Sequence, residues 1–413
     1  MTPPARAMAA MEVLAAWAAG REGVDRQLVR WGRSHRFAGS GDRHAIADRV
    51  YAVLRRARSL QWLAGSGDPG SDLAALDPRA AVLAAAAMAG EDPDALADGS
   101  RHGPSRLTAV EAAALADLPG AAASRLAGAP AGVRRDLPDW LAEGADAVPG
   151  GAVLGERAPL DLRVNTLRTD RAGASEALAD AGIATVPGPL APTCLRVVSG
   201  GRQVTGSGAY RDGLVEIQDA ASQAAAAFAG AEPGQVVLDL CAGGGGKALA
   251  LGAAMRDGGR VRGRLIAHDA DPARMADIPA RAARAGISVD RVDAAGLDRL
   301  AGRIDLVFAD APCSGSGAWR RNPDARWRFA PADLARLTAL QDRIIDRARA
   351  LVAPGGTIVF ATCSCLAAEG PARVLAWARR AGDDAITAAP RFVTLPEPES
   401  GDGFFAVKVR AAF

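Results

Sequence analysis

Val236 to Leu240 is a short apolar run that passes directly into Cys241-Ala242-Gly243-Gly244-Gly245-Gly246-Lys247 and then into a helical stretch. Four successive glycines let the backbone pass close to a ligand and aim its N–H groups at it. The same strand, loop, helix order recurs after Gln218. Val236 to Leu240, Arg264 to His268, Ser288 to Val292, Ile304 to Ala309 and Thr357 to Ala361 are short apolar runs separated by helical stretches. That alternation predicts an α/β fold with a doubly wound parallel sheet, on which ligands bind at the carboxyl ends of the strands. The residues just beyond each strand are therefore the candidates for chemistry.

The rest of the chain reads differently. At 413 residues it is long enough for two or three domains. From Pro4 to about Leu141 apolar residues recur at helical spacing, with Ala7 to Ala18 and Asp42 to Leu63 as amphipathic candidates, and Gly99 to Gly151 carries breakers that predict short helices running into a linker. Leu160 to Asn165 alternates as a strand, Arg171 to Ala181 suits a helix, and Thr193 to Val198 and Leu214 to Ile217 are further strands, predicting a small α+β unit. The expected domains are 1–150, all helical; 151–225, α+β; and 226–413, the parallel sheet. No apolar stretch is long enough to span a bilayer and no signal peptide is visible, so a cytoplasmic chain without a membrane partner is expected.

The net charge of +2 gives no sign of a strongly basic nucleic-acid binder, yet all but two of the 49 basic residues are arginine, the lysines being Lys247 and Lys408. A genome rich in G and C explains that bias most simply, and phosphate recognition by planar guanidinium groups is the sharper alternative. The cysteines are Cys194, Cys241, Cys313, Cys363 and Cys365. They form no C-x-x-C pair and no histidine pair stands at ligand spacing, so no metal site is expected. Four of the five follow residue 240, which points to thiol chemistry rather than stapling.

The glycine loop has two rivals to weigh. A phosphate-binding Walker loop needs a glycine where Cys241 stands and a hydroxyl where Ala248 stands, and a dinucleotide fingerprint needs a third glycine at 248. Alone, the loop indicates only a nucleotide-like ligand. The second strand ends in His268-Asp269-Ala270-Asp271, where Asp269 is placed to accept from a ribose diol while Asp271, ahead of Pro272, suits a helix cap. Asp293 follows the third strand, within reach of an adenine amino group. A glycine loop followed by carboxylates after successive strands is the arrangement expected for S-adenosylmethionine. The fourth strand delivers Asp310-Ala311-Pro312-Cys313-Ser314-Gly315 and the fifth Thr362-Cys363-Ser364-Cys365, with Cys313 and Cys363 lying 50 residues apart at the ends of strands expected to be neighbours. A lone buried cysteine is usually an inert small hydrophobe; two in loops beside a cofactor loop are not. Carbon 5 of cytosine is too weak a nucleophile to attack a methyl sulfonium until a thiolate has added to carbon 6. An acid such as Asp310, bonded to ring nitrogen 3 or the exocyclic amine, would stabilise the charge that develops.

At these residues the chain resembles the RsmB/Sun-type (Nop2/Sun-type) family of RNA cytosine-5 methyltransferases. The resemblance is carried, in order, by Asp239-Leu240-Cys241-Ala242 with Gly245-Gly246-Lys247, by Asp310 to Gly315, by Arg320-Arg321-Asn322-Pro323-Asp324, by Ala361-Thr362-Cys363-Ser364 and by Asp402-Gly403-Phe404-Phe405. It implies a Rossmann-like methyltransferase domain whose cofactor loop is Cys241, Ala242, Gly243, Gly244, Gly245, Gly246 and Lys247, with Asp269, Asp293 and Asp310 as further contacts. It also implies that Cys363 is the nucleophile and that Cys313 assists release, whereas DNA cytosine methyltransferases attack with the Pro-Cys thiol. Gly41-Asp42-Arg43 and the run after Val50 resemble the family's NusB-like RNA-binding domain, and Arg163-Val164-Asn165-Thr166 the start of its RRM-like domain.

Two departures stand out. Gly244 replaces the family's usual proline and Ala248 its threonine, which implies a more flexible loop and altered cofactor affinity. Trp319 to Arg328 mixes arginine with aromatic faces, suited to phosphate contact and stacking on an extruded base, so Arg320, Arg321 and Arg326, together with Arg163, are the expected RNA contacts. The alternative for that run is a surface helix with its tryptophans turned inward. The whole reads as a monomeric methyltransferase acting on structured RNA, ribosomal RNA of the small subunit first and transfer RNA second, with a non-catalytic RNA-binding assembly factor as the rival from another class.

Overall fold

The computed structural model describes residues 1–20, 22–143, 148, 153–398 and 400–411. The expected boundary at 150 and 151 lies outside the described residues. Two compact units form: Met1–Arg157 with Trp319–Ala330, and Ala158–Ala318 with Pro331–Phe413. Among the described residues no helix is long and apolar enough to cross a membrane.

The first unit is helical among its described residues. Pro3–Ala18 begins with Thr2 capping the Ala5 amide and proline in the first turn. Its buried face, including Leu14 and Trp17, meets Val50, Val53 and Leu54 of the helix Ser40–Arg55. The single helix expected over Asp42 to Leu63 is interrupted at Arg56 (φ −140°, ψ 30°), giving Ser40–Arg55 and Ala57–Leu63. The carbonyls released there find donors in the segment from residue 319 to 330. Arg326 Nη2 donates to Leu54 O at 3.1 Å and also to Arg55 O, and Trp327 Nε1 donates to Leu54 O at 2.8 Å.

That arrangement corrects the expectation for this run. Trp319 and Trp327 are buried, Trp327 within the helical core, so neither ring is open to a base. Arg320 and Arg326 are buried as well, and a guanidinium bonded to helix-end carbonyls is not placed to grip phosphate. Of the three arginines expected to contact RNA here, Arg321 alone keeps partial exposure.

The second unit holds two main sheets. Strands β1 (Leu160–Val164), β2 (Thr185–Pro187), β3 (Cys194–Val197) and β4 (Val215–Ile217) form an antiparallel sheet in the order β2-β3-β1-β4. Arg163, on the central strand β1, is buried, its Nε donating to Gln218 Oε1 at 2.6 Å. Burial lowers its pKa to about 10. The expectation that it lines an RNA-facing edge is therefore wrong, because β1 has neighbours on both sides.

The larger sheet contains β5 (Val236–Asp239), β8 (Arg264–Ala267), β9 (Asp290–Arg291), β10 (Ile304–Asp310), β11 (Val352–Thr362), β12 (Arg391–Thr394) and β13 (Phe404–Arg410), while β6 (Arg256–Asp257) and β7 (Arg260–Val261) form a small hairpin. The order is β12-β13-β11-β10-β5-β8-β9, with β11, β10, β5, β8 and β9 parallel, as the alternation of strands and helices predicts. Alternate residues face opposite cores: Leu238, Val307, Phe360 and Val407 pack on one side, and Val237, Phe308, Val359 and Ala406 on the other. The strands β12 and β13 were not expected; no helix separates them, and β13 runs antiparallel to both β11 and β12.

Candidate active site

The loop after β5 is shaped by close approaches. Gly243 and Gly245 have positive φ (+48° and +81°), and a Cβ on Gly245 would lie 2.8 Å from Ile278 Cγ1. Both positions need glycine for conformation, and Gly245 needs it for space as well. Gly244 has no such φ; instead Arg281 donates to its carbonyl oxygen, pinning the residue that stands in place of the family's proline. Arg281 and Arg284 both pair with Glu216 of β4, at 3.4 and 2.7 Å, tying the small sheet to this loop. Asp269, buried at the end of β8, accepts from the Gly243 amide at 2.9 Å and the Asp271 amide at 3.0 Å, and pairs with Arg274 at 3.2 Å. A carboxylate has acceptor capacity beyond those bonds, so it can still receive a diol. Asp271 caps the following turn through the Ala273 amide, as its sequence position indicates.

Beneath the loop lies a charged cluster. Lys247 Nζ pairs with Asp310 Oδ2 at 2.6 Å and sits 5.3 Å from the centre of the Phe404 ring. Burial works against the charge on Lys247, but Asp310 outweighs it and holds the lysine pKa above its ordinary value, with the charge of Cys363 adding to the effect. Asp239, the last residue of β5, is 1% exposed, and neither carboxylate oxygen has a hydrogen-bond donor at good geometry. Burial, helped by the charge of Asp310 and opposed by that of Lys247, raises its pKa to about 7. A buried carboxyl without a partner suits a cationic ligand. Asp310 Oδ1 is also buried without a donor.

The register of β10 against β11 sets Asp310 opposite Ala361, so the two cysteine turns leave the sheet side by side. Cys313 Sγ and Cys363 Sγ are 3.4 Å apart. The thiol of Cys313 is held well above its ordinary pKa, first by its hydrogen bond with Cys363, then by burial and the negative charges of Glu369 and Asp310. Those surroundings favour the protonated form of Cys313. Cys241, in the glycine loop, is raised by burial and by Asp239, and Cys365 is pushed up to about 12 by burial.

The structure thus brings together Cys313, Cys363, Asp310 and Lys247, with Cys241 to Gly246 and Asp269 at the neighbouring strand ends. Asp293 is exposed and caps the helix Ala294–Asp298, its Oδ1 accepting from the Gly296 amide at 2.7 Å. Among the described residues no group of three or more His, Cys, Asp or Glu is placed to hold a metal. Two members of the site were given no role by the sequence reading. Asp239 opens the motif Asp239-Leu240-Cys241-Ala242 but lies within an apolar strand, which gave it no assigned contact. Glu369 sits beneath both cysteine turns, and the signal that would have led to it is the repeated dipeptide Cys313-Ser314 and Cys363-Ser364.

Comparison with known proteins agrees with this layout. Residues 227–410 match a family model described as 16S rRNA methyltransferase RsmB/F, and residues 152–204 match an RsmF/B-like ferredoxin-like domain. Ribosomal RNA small subunit methyltransferase B of Salmonella arizonae is 34% identical over 265 residues, covering 62% of this chain and 60% of the relative. The match therefore spans about three fifths of that relative's length. Among solved structures, that of PH0851 superimposes with a TM-score of 0.69 at 22% identity, covering 99% of this chain and 98% of the other. A methyltransferase homologue from Pyrococcus horikoshii gives 0.57 at 23% identity, covering 68% and 97%. At those identities the likeness is one of fold. The segments that the two family models match carry the glycine loop, both cysteine turns and most of the small antiparallel sheet, so over these segments the chain is similar to the RsmB/F methyltransferases.

Proposed function

We propose that this chain transfers a methyl group from S-adenosylmethionine to carbon 5 of a cytosine in RNA, with ribosomal RNA of the small subunit as the favoured substrate and the cytoplasm as its place. The observation that carries the reading is the pair of thiols in contact, 3.4 Å apart, at neighbouring strand ends beside the Lys247–Asp310 pair. The residues fit the cofactor: Asp239 offers an unpaired buried carboxyl to its ammonium group, Asp269 an acceptor to its ribose, and the Gly243 to Gly246 backbone a surface for close approach. Bound there, the cofactor supplies an electrophilic methyl group. The match to the RsmB/F family model supports RNA as the partner of this chain, as does the name of the Salmonella relative.

The remaining chemistry belongs to the protein. Cys363 adds through sulfur to carbon 6 of the cytosine, which turns carbon 5 into an enamine-like nucleophile. Asp310, its Oδ2 held by Lys247, has Oδ1 left to accept from the exocyclic amine and so aligns the base. After methylation carbon 5 gives its proton to water, the electron pair of that bond re-forms the C5–C6 double bond, and the Cys363 sulfur departs as a thiolate. Cys313, in contact with that sulfur and protonated, is placed to return a proton to it. A reading in which Cys313 attacks would require ionising a thiol whose hydrogen bond with Cys363, burial and neighbouring negative charges all favour the protonated form. We propose three functional parts, 1–150, 151–225 and 226–413, a division that the two matched segments support and to which residues 319–330, packed with the helical unit, are an exception.

The test is a pair of variants incubated with cofactor and RNA. Cys313→Ala is expected to accumulate an RNA–protein adduct visible on a denaturing gel, and Cys363→Ala to form none. Full turnover by Cys363→Ala would reverse the assignment. Bisulfite sequencing of RNA from a deletion strain identifies the target, and an unchanged cytosine pattern would remove the methyltransferase reading.

A further inference from the structure

Glu369 ends the short turn Ala367–Glu369 that leads from the Cys363 loop into the helix Pro371–Ala381, and it is 0% exposed. A carboxylate out of water persists only where donors satisfy it. Here they come from both cysteine turns and one helix behind them. The Ser314 amide donates to both oxygens, at 2.9 and 3.1 Å, and the Ser314 hydroxyl donates to Oε2. The Ser364 hydroxyl donates to Oε2 at 2.7 Å. Gln341 Nε2, on the helix Pro331–Leu351, donates to Oε1 at 3.0 Å and to the Pro312 carbonyl at 2.9 Å. Ser314 and Ser364 directly follow the two cysteines, and Pro312 directly precedes the first. One side chain therefore binds the residues flanking both thiols.

We propose that Glu369 is a positioning residue that clasps the Cys313 and Cys363 turns together and so fixes the contact between the two thiols. The role rests on the two-thiol reading of the reaction given above. Glu369 touches neither sulfur in a hydrogen bond; it acts through Ser314 and Ser364. Its charge also favours the protonated form of Cys313.

Glu369→Gln preserves size but replaces one acceptor oxygen with an amino group that cannot accept from the serine donors. In the full-length chain its kcat for methyl transfer is expected to fall about 10²-fold, the scale of a misplacement near 1 Å, with KM for RNA and cofactor unchanged. The pH profile of iodoacetamide alkylation, read thiol by thiol by mass spectrometry without RNA or cofactor, should shift to lower pH at Cys313 as its turn separates from Cys363. Glu369→Asp, which keeps both acceptors on a shorter arm, should recover part of kcat. A folded Glu369→Gln protein with wild-type kcat, or with reduced kcat and an unmoved Cys313 profile, overturns the clasp. If that variant does not fold, Ser314→Ala and Ser364→Ala each remove one hydroxyl donor, and unmoved Cys313 profiles in both overturn it equally. A wild-type chain that methylates no cytosine, yet whose Cys313 profile moves in Glu369→Gln, would sink the proposed function and leave the clasp standing.

Discussion

Asp239 titrates where proteins work. Its pKa stands at about 7 against an ordinary value of 3.8, because burial disfavours the charge and Asp310 adds to the effect. Between those values the folded chain holds a proton that the unfolded chain has lost, so this group contributes stability that is fully present below the unfolded value and disappears as pH rises through about 7. A cationic ligand pairing with Asp239 must drive that proton off. Titration calorimetry with S-adenosylmethionine should therefore show release of about one proton near pH 6 and almost none near pH 8, measured as dependence of the heat on the buffer's ionisation enthalpy. Affinity should rise with pH across the same interval. Heat at pH 6 that is independent of buffer would place the ammonium elsewhere. At this scale the chemistry was legible where residue type and position coincide: cysteines at strand ends and glycines in the loop. It was not legible for Asp239 or Glu369, since burial and the absence or presence of donors are properties of the folded neighbourhood.

The segment Pro323–Arg328 shows what an element can hide. Its sequence alternates arginine and tryptophan like a nucleic-acid contact, yet Arg326 and Trp327 complete the end of the helix Ser40–Arg55, about 270 residues earlier in the chain. Sequence spacing cannot reveal a cap supplied from so far away. The break at Arg56 was missed for the same reason, because the helical pattern continues through it and only the distant donors explain why the carbonyls can be released. Arg326→Met should lower stability by about 1–3 kcal/mol, the cost of leaving buried carbonyls without donors, as read by chemical denaturation. The salt dependence of RNA binding should not change, since a lost phosphate contact would reduce its slope by about 1. A reduced slope at unchanged stability would restore Arg326 to the RNA surface. By contrast the parallel strands β5, β8, β10 and β11 stood out in the sequence, because a sheet buried on both faces demands continuous apolar runs that interrupt helical periodicity.

Taken whole, the chain does not divide at one point. It begins in the helical unit, enters the sheet-bearing unit at Ala158, leaves it after Ala318 and returns at Pro331. Residues 319–330 lie within the segment that the RsmB/F family model matches and are packed as part of the helical unit: Trp327 belongs to its core, and Trp319 meets Phe329, which in turn meets Trp140. A fragment cut at residue 158 would carry that segment without its packing partners, exposing apolar rings that favour association. Expressed alone, residues 158–413 should show red-shifted tryptophan emission, bind a hydrophobic dye and associate at concentrations where the full chain does not. Replacing residues 319–330 with a Gly/Ser loop in the same fragment should abolish the dye binding while leaving the sheet intact by circular dichroism. If the unmodified fragment is already monodisperse and dye-free, the segment is satisfied without the helical unit, and the dependence of one on the other that the burial of Trp327 indicates does not operate in solution.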